Sequence, residues 1–140
     1  MQRVALIGGG SGGHIYPLIS VAELLREKVE LRYFGDPGAY RLLLVSRGVP
    51  ISNVPSSKRR AYSSILNFFD AFKFCVGFVV ALWKLYWYMP AVAFSKGGPG
   101  ALPLALACRF YAIPLVLHES DVVLGTTNRI TARFARKILL

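Results

Sequence analysis

The sequence predicts an α/β fold, a parallel sheet with helices on both faces, and three observations carry that prediction. Short apolar runs of strand length alternate with longer amphipathic segments in the order β-α-β-α-β. Two of the runs, residues 4–7 and 91–94, open directly into glycine-rich turns. At 140 residues the chain suits one domain that buries a real core. Right-handed crossovers then bring both turns to one edge of the sheet, the edge at which open α/β sheets bind ligands.

Each element follows from its residues. After the first strand, the turn Gly8-Gly9-Gly10-Ser11-Gly12-Gly13-His14 leads through Ile15-Tyr16-Pro17 into a helix over 18–28. Pro17 suits its first turn, where a missing N–H costs nothing, and Ile19, Ala22, Leu24 and Leu25 cover roughly one face. Residues 30–34 read as the second strand, closed by the turn Gly35-Asp36-Pro37-Gly38. A helix over 40–47 ends at Gly48, a suitable residue just past a helix C-terminus, before a short strand over 51–54. Residues 64–89 form a long, strongly apolar helix, and 91–94 the fourth strand. The turn Ser95-Lys96-Gly97-Gly98-Pro99-Gly100 precedes a helix over 101–111. The strand over 113–117 runs into the abruptly polar His118-Glu119-Ser120-Asp121, then a basic helix with Thr127, Asn128 and Arg129, and a further strand beginning at Lys137.

The first turn carries the chemistry. Five glycines free the backbone to approach a ligand, and the amides at a helix N-terminus favour an anion such as a phosphate. His14, directly beside them, titrates near neutral pH, so the pair suggests group transfer. Two other readings stay open: a purely structural turn, and a dinucleotide site, since Gly8-x-Gly10-x-x-Gly13 fits that fingerprint and Asp36 follows the second strand. In the polar quartet, Glu119 is expected to face a closed cleft with its pKa raised towards a working range. His118 and Asp121 read either as substrate contacts or as loop and capping groups.

Composition narrows the partners. The net charge of +10, 17 basic against 7 acidic residues, calls for an anionic partner, and scattered basic residues make nucleic acid the poorest fit. Apolar residues reach 54%, more than one core needs, and the excess sits in residues 64–89. There Asn67, Asp70, Lys73, Gly77 and Lys84 share one narrow helical sector and aromatic or aliphatic groups fill the rest. The uninterrupted apolar stretch, 74–83, is too short to span a bilayer. An interfacial helix is favoured over a buried one, with Phe72 on its apolar surface and Trp83, Tyr86, Trp87 and Tyr88 at headgroup level. Lys58, Arg59 and Arg60 would be drawn to anionic lipid. Cys75 and Cys108 lie in apolar segments without CxxC spacing and read as reduced core residues; no metal site and no secretory leader is evident.

Together, Gly8–His14, Lys96-Gly97-Gly98, Ile113-Pro114-Leu115-Val116-Leu117-His118-Glu119-Ser120-Asp121 and Thr127-Asn128, in this order, resemble the N-terminal half of the MurG-type glycosyltransferases. That resemblance implies a GT-B architecture of two Rossmann-like halves facing across a cleft. Residues 1–140 would be the acceptor-binding and membrane-binding half, with the donor-binding half in a domain or subunit outside this chain. It implies inverting transfer of N-acetylglucosamine from UDP-N-acetylglucosamine to an undecaprenyl-diphosphate-linked muramoyl peptide at the cytoplasmic face of the bacterial plasma membrane, with no cofactor. His14 would be the base, and Glu119 a second candidate or its orienting partner. Gly10, Ser11, Gly12, Gly13, Gly97, Gly98, His118, Asp121 and Asn128 would contact substrates. Asp121 stands at a position that is often asparagine in the family, and Pro99 where many relatives carry an aromatic residue.

Overall fold

The structure is a computed structural model that describes residues 1–56 and 65–140, with side chains described for 1–56 and 68–140. Six strands form one sheet in the order β3-β2-β1-β4-β5-β6, every pair parallel. They are β1 (Arg3–Gly8), β2 (Glu30–Gly35), β3 (Ile51–Asn53), β4 (Val92–Gly97), β5 (Leu115–His118) and β6 (Lys137–Leu139). The strand order reverses between β1 and β4, so the chain runs outward to both sides from a central crevice.

Among the described residues five α-helices connect the strands: α1 (Gly12–Leu25), α2 (Arg41–Ser46), α3 (Ile65–Tyr88), α4 (Leu102–Phe110) and α5 (Thr126–Ala132). Both faces of the sheet are buried in its centre, which is why the strands read as near-continuous apolar runs. On one face Val4, Leu6, Leu31 and Tyr33 pack against Ile15, Leu18, Ile19 and Ala22 of α1 and Leu44 of α2. On the other, Ala5, Ile7, Phe34, Ala93 and Leu115 meet Ala81, Leu85 and Tyr88 of α3 and Leu104, Ala105 and Cys108 of α4.

Several boundaries depart from expectation for physical reasons. α1 begins at Gly12, so Pro17 lies inside the helix rather than in its first turn and removes the N–H that would bond the Gly13 carbonyl. β4 continues through Ser95, Lys96 and Gly97: Ser95 pairs with Ile7 of β1 and Leu117 of β5, and Gly97 pairs with Gly8 of β1 after a register shift that leaves Lys96 between them. Cys108 is a core thiol pushed up to about 12 by burial, but Cys75 is exposed on α3.

The narrow polar sector of α3 is divided between the fold and solvent: Lys73 is exposed, but Gly77 is buried against the Pro55 carbonyl and Lys84 donates to the Asn53 carbonyl of β3. Ala81, Leu85 and Tyr88 continue the buried face. Tyr88 is therefore a core residue, not a headgroup-level aromatic. Phe68, Phe72, Val76, Val79, Trp83 and Trp87 instead run along the exposed side at helical spacing. The basic triplet Lys58, Arg59 and Arg60 lies outside the described residues. No helix among the described residues is long and apolar enough to cross a membrane.

Candidate active site

Two glycine-bearing turns meet at the crevice between β1 and β4, and backbone joins them: the Gly9 amide donates to the Gly97 carbonyl at 3.1 Å. Below them the buried Tyr33 hydroxyl, kept protonated by its burial, donates to the Gly8 carbonyl at 2.9 Å. Side chains at several of these glycines would collide with neighbours. A Cβ at Gly10 would lie 2.9 Å from the Asp36 carbonyl oxygen, and one at Gly12 2.8 Å from the Tyr40 hydroxyl. Gly13 faces open space. Gly12 and Gly13 occupy the first two positions of α1, whose amides have no partner within the helix.

His14 lies across both turns. A Cβ built on Gly9 would sit 3.2 Å from its Nδ1, and one on Gly98, whose φ is +95°, 2.9 Å from its Cε1. Ser11 stands at the N-cap of α1, yet its hydroxyl makes no cap; Oγ lies 2.6 Å from His14 Nδ1. Partial burial and the Lys96 ammonium hold the imidazole below its usual range near 6.5, against the opposing pull of Asp121 and Glu119. The ring is thus neutral at neutral pH. In the tautomer whose Nδ1–H donates to Ser11 Oγ, Nε2 presents a free lone pair.

Glu119 behaves otherwise than expected. Burial alone would raise its carboxyl, but hydrogen bonds from Asn128 Nδ2 and from the Asp121 and Ser120 amides, with the Lys96 charge, bring it below the ordinary carboxylate range. Those bonds measure 2.7, 3.0 and 2.9 Å. A carboxylate ionised at neutral pH, with its lone pairs engaged, holds the loop after β5 and is poorly suited to remove a proton.

Asn128 is buried rather than open to a cleft. Its carboxamide lies over Gly97, where a Cβ would come within 1.8 Å of Oδ1, and Gly97 has φ +83°; only glycine meets both conditions. His118 stacks on Phe94 with ring centroids 6.1 Å apart, and Asp121 is exposed at the loop beside His14. Asp36 accepts from the Gly38 amide at 3.1 Å and is occupied in its own turn.

The sequence reading passed over Lys96. It is 3% exposed, its Nζ donates to Ser120 Oγ at 2.8 Å, and its charge acts on both His14 and Glu119. A lone lysine closing an apolar run beside paired glycines was the available signal; it entered the sequence analysis only as part of the Lys96-Gly97-Gly98 motif, without a role of its own.

The sequence profile of the glycosyltransferase family 28 N-terminal domain matches residues 4–140. The chain belongs to this family. Family 28 relatives include proteins named UDP-N-acetylglucosamine--N-acetylmuramyl-(pentapeptide) pyrophosphoryl-undecaprenol N-acetylglucosamine transferase. The one from Treponema pallidum subsp. pallidum is 40% identical over 98% of this chain and 36% of its own length. That from Lachnoclostridium phytofermentans is 39% identical over 99% of this chain and 39% of its own. This family 28 domain thus spans under half the length of the curated relatives it matches. The crystal structure of Acinetobacter baumannii MurG superposes with a TM-score of 0.83 at 24% identity, covering 99% of this chain and 41% of that one. The fold is that of a GT-B glycosyltransferase N-terminal domain, as the sequence predicts.

Proposed function

We propose that this family 28 domain is the acceptor-binding half of an inverting glycosyltransferase. In this reading it moves N-acetylglucosamine from UDP-N-acetylglucosamine to a lipid-diphosphate-linked muramoyl peptide in peptidoglycan synthesis. The supporting observation is the neutral His14 imidazole laid across two glycine turns at the crevice where the strand order reverses. A donor-binding domain or subunit outside these residues completes the cleft.

The acceptor's diphosphate meets the Gly12 and Gly13 amides and the positive end of α1. The acceptor hydroxyl attacks the anomeric carbon of the donor sugar, Nε2 of His14 takes its proton, and the bond to the β-phosphate breaks with its electron pair leaving on UDP. Ser11 fixes the tautomer, while Glu119 and Asn128 hold the two loops in register. Gly10, Gly98, His118 and Asp121 border the substrates. The stripe from Phe68 to Trp87 rests on the cytoplasmic membrane surface and brings the lipid-linked acceptor to the crevice. Lys58, Arg59 and Arg60 add electrostatic attraction to that surface.

His14→Ala in the complete protein is expected to cut kcat roughly a hundredfold to ten-thousandfold with the donor KM nearly unchanged. In the unsubstituted protein, turnover should fall as pH drops through a value below 6.5, where the imidazole gains a proton. Steady-state kinetics with a soluble acceptor analogue measure both, and wild-type turnover in the variant would remove His14 from the chemistry.

A further inference from the structure

Among the described residues, Lys96 is a buried cation that forms no ion pair: it is 3% exposed, and its Nζ is bonded to the neutral Ser120 hydroxyl at 2.8 Å. Glu119, which feels its charge, has its oxygens taken by Asn128 Nδ2 and by the Ser120 and Asp121 amides. An ammonium buried on a hydroxyl loses more in hydration than the bond returns. Fold stability alone therefore gives no reason for a lysine at this position.

The strand is built to present it. β4 pairs Ser95 with Ile7 and Gly97 with Gly8, so Lys96 is an extra residue opposite β1, and the Ser95 hydroxyl accepts from the Gly97 amide at 3.1 Å across it. Bulges of this kind beside a ligand-binding edge re-aim a side chain. Lys96 follows by two residues Phe94, which packs with the α1 core, and α1 is the helix that carries His14. Among the described residues the charged groups that act on His14 are Lys96 from β4 and, from the loop after β5, Asp121 and Glu119. α1 itself adds the Ser11 hydroxyl, and Asp36 in the turn after β2 is engaged by the Gly38 amide. Burial and Lys96 lower the His14 pKa and the two carboxylates raise it, Lys96 being the largest of the three charge effects.

We propose that Lys96 is a positioning residue for the transfer: fixed on Ser120, its ammonium holds a positive charge beside His14 and ties the loop bearing Glu119 and Asp121 to the turn bearing Gly97 and Gly98. This role rests on the reading of His14 as the base, and it adds to that reading the group that keeps the base ready. With the ammonium gone, the imidazole faces two carboxylates alone and gains a proton more readily. It then spends more of its time unable to take one from the acceptor hydroxyl.

Two readouts on the complete protein test it. One is the titration of the His14 imidazole followed by NMR, its resonance identified by its loss in His14→Ala; the other is the pH profile of kcat with a soluble acceptor analogue. Lys96→Met keeps the apolar stem and removes the charge. It should move the His14 titration to higher pH and the acid limb of kcat with it, so that the turnover deficit of the variant is about twofold or more greater at about pH 5 than at about pH 8, with the donor KM nearly unchanged. Lys96→Arg, which retains the charge, should leave both close to those of the unsubstituted protein. Lost packing or a lost hydrogen bond would instead lower turnover alike at every pH. A His14 titration unmoved in Lys96→Met, with His14→Ala still inactive, would overturn the role of Lys96 and leave the base standing. A moved titration with wild-type turnover in His14→Ala would overturn the base and, with it, any part of Lys96 in the transfer. If Lys96→Met does not fold, Ser120→Ala, which frees the ammonium from its bond, should shift the titration and the acid limb the same way by a smaller amount; no shift would overturn the proposal.

Discussion

Glu119 and His14 lie near one another, feel the same lysine and take opposite assignments because their bonding differs. The carboxylate has backbone and carboxamide donors on its oxygens, which stabilise the charged form; the imidazole has one hydroxyl and partial burial, which stabilise the neutral form. Glu119→Gln replaces an acceptor with a donor facing donors, and should cost about 1–3 kcal/mol in urea unfolding at neutral pH. Since the folded carboxyl lies below its unfolded value of about 4.3, its contribution is complete above that pH and lost as pH falls through the folded value. The stability gap between wild type and variant should therefore close in acid. A gap independent of pH would show that Glu119 does not hold the loop as an ionised acceptor.

At the scale of elements, the two glycine turns are unequal. Gly97 closes β4 at φ +83° under the Asn128 carboxamide, so Gly97→Ala strains the backbone and displaces the link between β4 and α5. A loss of at least about 1–3 kcal/mol is expected in thermal unfolding. Gly13 lies in α1 with open space around it. Gly13→Ala should stabilise the fold by up to about 1 kcal/mol through helix propensity. It should also weaken acceptor binding, because the added methyl projects where the diphosphate is proposed to lie. Paired melting curves and acceptor titrations separate the two, and unchanged acceptor affinity in Gly13→Ala would move the diphosphate elsewhere.

For the molecule as a whole, the proposed orientation at a membrane rests on α3. A helix of 24 residues is about 36 Å long, and its exposed apolar stripe runs from Phe68 to Trp87. Its side chains are largely uncovered by the described residues, Phe72 and Val79 each being 63% exposed. Phe72→Ser with Val79→Ser should accordingly leave folding stability within about 0.5 kcal/mol, as for other exposed substitutions. The same pair should reduce flotation with zwitterionic vesicles, where only apolar contact operates. Lost stability with unchanged flotation would mean that the stripe is covered by protein.

The sequence by itself determined the alternation of strands and helices, the parallel sheet and the glycine turns, because strand periodicity, glycine spacing and helix ends are properties of neighbouring residues. It also put His14 and Gly97 at the edge where open α/β sheets bind ligands. Only the tertiary structure decided what each polar group touches. Glu119 became a low-pKa anchor when Asn128 arrived from α5, and Lys96 entered the site when the β4 pairing with β1 continued to Gly97. α3 turned Lys84 and Gly77 of its polar sector towards Asn53 and Pro55, and its aromatic groups outward. A wheel drawn from sequence ranks residues by polarity. The helix is set instead by which small side chains let it approach the sheet, and that depends on neighbours distant along the chain.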